Sequence, residues 1–154
     1  MATRKTVWSG DVLRDLSDGN LDLQVLLEMQ RGVKEDDRFE AMLAVEQGKV
    51  GWPEKILVPI GEHLYVVDKS GDKIVKCSCG HELGDYRQSW KNDAVVYVRD
   101  TEEALDEIYP GPRKCDVTWM HLREYYCPGC ATLLEIEAVP PGYPIVFDFL
   151  PDLE

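Results

Sequence analysis

Apolar residues in the first 50 positions follow the spacing of helices. A turn sequence at residues 17–20 precedes one apolar segment, and Gly48 ends the next. This pattern predicts a helical N-terminal region over residues 1–50. The apolar positions that carry it are Leu21, Leu23, Val25, Leu26, Leu27, Met29, Phe39, Met42, Leu43 and Val45.

From residue 51 onward the pattern changes to short runs rich in β-branched residues. Thr101 is a good helix N-cap and is followed by two glutamates, so a short helix is expected to run from there to about residue 108. The pattern predicts a small antiparallel β domain over residues 51–139, and hence an α+β protein. The expected strands are residues 56–58, 64–67, 73–76, 94–98, 119–126 and 132–139.

The last segment, residues 140–154, combines prolines with apolar side chains. Repeated proline excludes a helix or a central strand, yet the segment is too apolar to prefer water. We therefore expect an extended tail that lies in a groove of its own domain or of a partner protein. The segment's prolines are Pro140, Pro141, Pro144 and Pro151, and its larger apolar residues are Tyr143, Ile145, Val146, Phe147, Phe149 and Leu150.

Charge and hydropathy narrow the range of partners. The 154 residues include 17 Lys and Arg against 29 Asp and Glu, a net charge of -12. Such a chain would repel a phosphate backbone, so nucleic acid is not an expected partner. No apolar run reaches the roughly 20 residues that span a bilayer, and the N-terminus lacks a secretion signal. We expect a soluble, cytoplasmic protein.

Four of the five cysteines form two close pairs, Cys77/Cys79 and Cys127/Cys130. A reducing cytosol and an odd count favour metal binding over disulfides. Residues i and i+2 of a strand face the same way, so Cys77 and Cys79 can point at one ion. In the second pair, Pro128 fixes the turn entry, and Gly129 is expected to adopt a positive φ. We predict one structural zinc ion bound by these four cysteines.

His81 shares the predicted face of Cys77 and Cys79, so it is an alternative ligand in place of one of them. Four protein ligands leave no open position for water or substrate, and the site would staple two hairpins together. Cys115 stands alone and is expected to behave as a small apolar residue. No glycine-rich phosphate loop or nucleophile elbow occurs, so the chain by itself shows no catalytic site.

Two other classes of protein use similar cysteine pairs. Cys-Pro-x-Cys also occurs in rubredoxin-like iron proteins, because four thiolates hold iron as well as zinc. The tighter Cys77-Ser78-Cys79 pair argues against that interpretation. A zinc-ribbon interaction module of a transcription or RNA machine would need a basic face, and the acidic charge argues against it.

Several short motifs appear along the chain in a characteristic order. Together they resemble the small gamma-type subunit of acetone carboxylases and its counterpart in acetophenone carboxylase, from about Leu21 onward. The chain's end at Glu154 and the additional Cys115 depart from the acetone type, and the short end favours the acetophenone type. The motifs are WPEKI (52–56), PIG (59–61), CSCGH (77–81), WK (90–91), VRDT (98–101), EIYP (107–110), REYYCPGC (123–130), YP (143–144) and DF (148–149).

This resemblance implies a zinc-binding subunit of a biotin-independent, ATP-dependent ketone carboxylase. The chemistry would reside in larger, hydantoinase-like subunits, which activate ketone and bicarbonate by phosphorylation. The implied role of this chain is structural, with regulation as an open alternative. The motif carries over only Cys77, Cys79, Cys127 and Cys130, as metal ligands.

Overall fold

The computed structural model describes residues 7–153 and contains four α-helices and two antiparallel sheets, which confirms the α+β class. The chain divides into two compact units, with the boundary between Val50 and Gly51. Within the described residues, no helix is long and apolar enough to cross a membrane.

The N-terminal unit contains α1 (Gly10–Ser17), α2 (Leu23–Arg31) and α3 (Arg38–Gln47). The predicted helices correspond to α2 and α3, whereas α1 was not identified as a separate element. Ser9 caps α1 by accepting a hydrogen bond from the amide of Val12. Leu13, Met29 and Val45, one from each helix, form a small buried core. Part of the apolar surface of this region is therefore buried within the unit itself.

The first sheet of the second unit follows the chain order β1-β2-β3-β4. Its strands are β1 (Lys55–Gly61), β2 (Leu64–Lys69), β3 (Asp72–Cys77) and β4 (Glu82–Asp85). The turn between β2 and β3 places Ser70 and Gly71 at positive φ, as a tight hairpin requires. β4 was not predicted, because it has four residues and only Leu83 is buried.

The second sheet has the order β5-β6-β7 and is also antiparallel. Its strands are β5 (Val95–Arg99), β6 (His121–Tyr126) and β7 (Leu133–Val139), with the short helix α4 (Glu102–Asp106) following β5. Thr101 caps α4, as its sequence position predicted. The helix ends two residues before the expected position, and β6 begins two residues after the expected start.

One core joins the two sheets of the second unit. Leu64, Val66 and Val75 of the first sheet are buried together with Tyr125 of β6. Trp90 lies in a 3-10 turn between the sheets and packs edge-on against Tyr125, with ring centroids 5.9 Å apart. This shared core holds the ends of β3 and β6 in place, and both ends carry cysteines.

The tail has no helix or strand between Pro140 and Leu153. Leu153 packs against the core of its own unit. The guanidinium of Arg123 donates a hydrogen bond to the carbonyl of Tyr143, and Lys91 pairs with Asp148. The tail therefore contacts its own domain at these points, although the six larger apolar residues of the segment remain exposed.

Candidate metal centre

Two turns, each at the end of a strand of a different sheet, bring four cysteines together. Cys77 is the last residue of β3, and Cys79 lies in the turn that follows. Cys127 directly follows β6, and Cys130 lies in the turn before β7. All five cysteines of the chain are free thiols, and these four form one cluster.

The spacing of the four sulfurs suits a tetrahedral metal ion. Cys77 Sγ lies 3.9 Å from Cys130 Sγ, and Cys79 Sγ lies 3.7 Å from Cys127 Sγ. All four sulfurs lie within 4.8 Å of one another. Metal–sulfur bonds of about 2.3 Å at tetrahedral angles place the sulfurs about 3.8 Å apart. The four thiols can therefore hold a metal ion without a large rearrangement.

The first turn is fixed by its own backbone. The amide of Gly80 donates to the carbonyl of Cys77 at 2.8 Å, and the amide of Cys77 donates to the carbonyl of His81 at 2.9 Å. Gly80 has a φ of 99°, which an L side chain rarely adopts. These bonds hold Cys77 and Cys79 on the inner side of the turn.

The second turn repeats this arrangement. The amide of Ala131 donates to the carbonyl of Cys127 at 2.8 Å, and the amide of Cys127 donates to the carbonyl of Thr132 at 2.9 Å. The amide of Gly129 also points at the sulfur of Cys127, 3.4 Å away. Such amide donors stabilise a thiolate.

The expectation of a positive φ at Gly129 was wrong, because the left-handed residue of this turn is Ala131, with a φ of 58°. Glycine is needed at position 129 because a larger side chain would collide with His81. A Cβ there would lie 2.8 Å from His81 Cβ and 3.1 Å from His81 Nδ1. His81 thus packs against the second turn, but the cluster of potential ligand atoms contains the four cysteines and not His81.

The thiols differ in burial and in proton affinity. Cys77 and Cys127 are buried, whereas Cys79 and Cys130 are exposed. Burial raises the pKa of the Cys77 thiol to about 12 and also raises the pKa of Cys79. Hydrogen bonds with the side chain and backbone of Thr132 lower the pKa of Cys130 to about 6. A bound cation supplies the positive charge that buried thiolates need.

Residues in and next to the first sheet hold the turn between Cys77 and Cys79 in place. The indole of Trp52 donates to the carbonyl of Ser78 at 3.1 Å, and the amide of Ser78 donates to the carbonyl of His63 at 2.9 Å. Trp52 packs edge-on against Tyr65 of β2, with ring centroids 6.0 Å apart. Cys115 lies apart from the cluster, with its sulfur 3.7 Å from the carbonyl of Met120.

A second polar cluster surrounds Lys91, whose side chain is 0% exposed. Its ammonium lies 2.6 Å from Glu137 and 2.9 Å from both Glu135 and Asp148. Burial alone would lower the pKa of Lys91, but hydrogen bonds with these carboxylates outweigh it and raise the pKa. The lysine occupies the position between the three carboxylates, so we assign this cluster a structural role.

Sequence reasoning did not identify the Lys91 cluster or a second buried network around Arg99. Arg99 Nε donates to Glu124 at 2.6 Å, and Arg99 Nη1 donates to Ala104 O and Glu107, both at 2.7 Å. Five members of these networks lie in motifs that carry the family resemblance: Lys91 in WK, Asp148 in DF, Arg99 in VRDT, Glu107 in EIYP and Glu124 in REYYCPGC. The longest contacts in the two networks join residues 25 and 57 positions apart, Arg99 with Glu124 and Lys91 with Asp148.

Comparison with known proteins confirms the resemblance. Residues 50–154 match the family described as acetone carboxylase gamma subunit. The acetone carboxylase gamma subunit of Xanthobacter autotrophicus is 39% identical over 142 residues, which cover 91% of this chain and 84% of the relative. The acetophenone carboxylase beta subunit of Aromatoleum aromaticum is 35% identical over 78 residues, covering 49% of this chain and 60% of the relative.

The acetone-type relative matches more of the chain, at higher identity, than the acetophenone-type relative. The preference for the acetophenone type, which came from the short C-terminus, is therefore not supported. Both relatives are subunits of carboxylases.

Proposed function

This chain belongs to the acetone carboxylase gamma subunit family, and from that premise we propose that it is a zinc-binding, non-catalytic subunit of a biotin-independent, ATP-dependent ketone carboxylase. Its role is structural, and its partners are the larger, hydantoinase-like subunits of the same enzyme. The complex works in the cytoplasm.

The four-sulfur cluster is the observation that carries this proposal. Sulfur donors at tetrahedral spacing suit zinc, and Cys77, Cys79, Cys127 and Cys130 are the ligands that we assign. Four protein ligands close the coordination sphere, which leaves no position for ketone, bicarbonate or ATP. Zinc would cross-link the two turns and would take part in no chemical step.

The residues around the cluster fit a bracing role of the zinc-ribbon type. Each turn is closed by two backbone hydrogen bonds, and each is continuous with a strand of a different sheet. Holding the turns together therefore fixes one sheet against the other at this end of the unit. The relative positions of the surfaces that a partner subunit contacts depend on how the two sheets are held against each other.

The metal is tested by elemental analysis and absorption spectroscopy of the purified chain. We expect one zinc per chain and no visible absorption. Thiolate-to-iron absorption bands would instead support the rubredoxin-like alternative. His81→Ala should retain the metal whereas Cys79→Ser should lose it, and the opposite result would assign His81 as a ligand.

Assembly is tested by co-expression with the other subunits of the carboxylase and purification through a tag on this chain. We expect the larger subunits to co-purify, and ATP-dependent ketone carboxylation to require the complex while the isolated chain is inactive. A chain that carboxylates a ketone alone, or that does not associate with those subunits, would contradict the proposal.

A further inference from the structure

One face of the second sheet is mainly apolar, and four of its large apolar side chains are exposed. Cross-strand neighbours share a face, and the pairing of β5, β6 and β7 gives three rows. The rows, each written in the order β5, β6, β7, are Val95, Tyr126, Leu133; Tyr97, Glu124, Ile136; and Arg99, Leu122, Ala138. We call these nine residues the outer face.

The outer face is distinct from the side of the sheet that packs into the core. Tyr125, the central residue of the opposite face, is fully buried beside Trp90. On the outer face, by contrast, Val95 is 54% exposed and Ile136 is 51% exposed, and Tyr97 and Leu133 are exposed as well. Soluble proteins rarely leave such a contiguous apolar patch without a binding role.

The polar groups of the outer face are already satisfied within the chain. Glu124 is only 3% exposed, and its carboxylate accepts hydrogen bonds from Arg99 Nε at 2.6 Å and the hydroxyl of Tyr126 at 2.7 Å. The guanidinium of Arg99 also lies over the ring of Tyr97, 4.9 Å from its centroid. A partner that covers this face would therefore leave no carboxylate or guanidinium unpaired, and it would meet tyrosine rings held in fixed positions.

The strand β5 adds an open edge to this surface. It is the first strand of its sheet, and all four residues from Val95 to Val98 are exposed on both faces. An exposed edge of β-branched residues favours pairing with another chain unless it is covered. The edge and the outer face together offer both backbone and apolar contacts.

Charge at the rim indicates the kind of partner. The segment after β5 carries exposed carboxylates at Asp100, Glu102, Glu103, Asp106 and Glu107. Two cations pair with these carboxylates: Arg99 with Glu107, and Lys114 with Glu102 and Asp106. The rim stays acidic, and the whole chain has a net charge of -12, so a second copy of this chain would be repelled.

We infer that the outer face and the β5 edge dock another subunit of the carboxylase, through an apolar surface on that subunit bordered by Lys and Arg residues. This inference rests on the proposed function. The cysteine cluster adjoins the docking surface, because Tyr126 directly precedes Cys127 and Leu133 follows the same turn. Metal binding at that turn would fix the positions of Tyr126 and Leu133 in the first row of the outer face.

The test compares Ile136→Lys and Tyr97→Lys with the conservative variants Ile136→Val and Tyr97→Phe in the co-expressed complex. Both side chains are exposed, so the lysine variants should fold, which retained metal content and circular dichroism would verify. We expect lysine at either position to weaken the affinity for the partner subunit at least tenfold, and the conservative variants to assemble as the wild type does.

The outcomes separate this inference from the proposed function. If the wild-type chain does not bind the other subunits at all, the proposed function fails. If the wild type binds and both folded lysine variants bind equally well, the docking surface lies elsewhere and this inference is wrong. If light scattering shows a wild-type homodimer that Ile136→Lys dissociates, the outer face joins two copies of this chain and the inference is likewise wrong.

Discussion

The buried ammonium of Lys91 lies 2.9 Å from the carboxylate of Asp148, which follows it by 57 residues in the sequence. This contact ties the tail to the unit that contains the cysteine cluster. Glu135 and Glu137 of β7 share the same ammonium, so one lysine connects the turn at Trp90, the strand β7 and the tail.

Asp148→Asn should loosen the tail while leaving the rest of the unit folded. Lys91 keeps Glu135 and Glu137 as partners, and Asp148 is partly exposed. We therefore expect the free energy of unfolding to fall by only about 1 kcal/mol. Limited proteolysis should cut the variant faster than the wild type within residues 140–150. Asp152→Asn, an exposed acid in the same tail, is the matched control. Equal cleavage rates for the two variants would show that Asp148 does not hold the tail.

Lys91→Met should reverse the response of stability to acid. In the wild type, burial raises the pKa of Glu137, but hydrogen bonds with Lys91 and Tyr125 lower it further than burial raises it. Its contribution is therefore present above the unfolded pKa of about 4.3 and is lost as pH falls through the lower folded pKa. In the variant, Glu137 remains beside two further carboxylates without a cation, so its pKa rises above the unfolded value.

We expect the free energy of unfolding of Lys91→Met to be about 3 kcal/mol lower than that of the wild type at pH 7, and the difference to shrink at pH 5, where Glu137 begins to bind a proton. Urea unfolding of the variant and the wild type at pH 7, 6 and 5 measures this. A constant difference between the two proteins across that range would mean that the carboxylates do not repel one another in the variant.

Cys127→Ser and Cys130→Ser should each lose the metal and most of the folded second unit. Structural zinc contributes on the order of 10 kcal/mol to the folding of small zinc modules at neutral pH. Cys115→Ser is the control, because Cys115 lies outside the cluster. Elemental analysis and thermal unfolding check both expectations. Full zinc content in either cluster variant would exclude the four-cysteine site.

Gly129→Ala should destabilise the second turn by about 1–3 kcal/mol, because the new methyl group would lie 2.8 Å from His81 Cβ. The conformation of residue 129 itself is open to alanine, so the cost comes from the contact. His81→Gly in the same chain should therefore recover part of the lost stability. If the double variant loses as much stability as the two single variants lose in sum, the contact with His81 is not the cause of the destabilisation.

The helical pattern of the first 50 residues and the β-branched runs after residue 51 were sufficient to predict most elements. These features depend on local periodicity, which the sequence displays directly. The strand that was missed, β4, has four residues, and only Leu83 among them is buried. Such short elements are held by the neighbouring strand or helix more than by their own pattern.

The sequence alone also determined which cysteines to group, because Cys77/Cys79 and Cys127/Cys130 are paired by spacing. The tertiary structure brings the two pairs together, as predicted. Only the tertiary structure decided that His81 packs on Gly129 outside the sulfur cluster and that Lys91 reaches Asp148. It also decided which face of β6 is buried, since Tyr125 and Tyr126 are adjacent and chemically alike. Contacts between residues far apart in the chain depend on how the two sheets pack, and no local pattern encodes that packing.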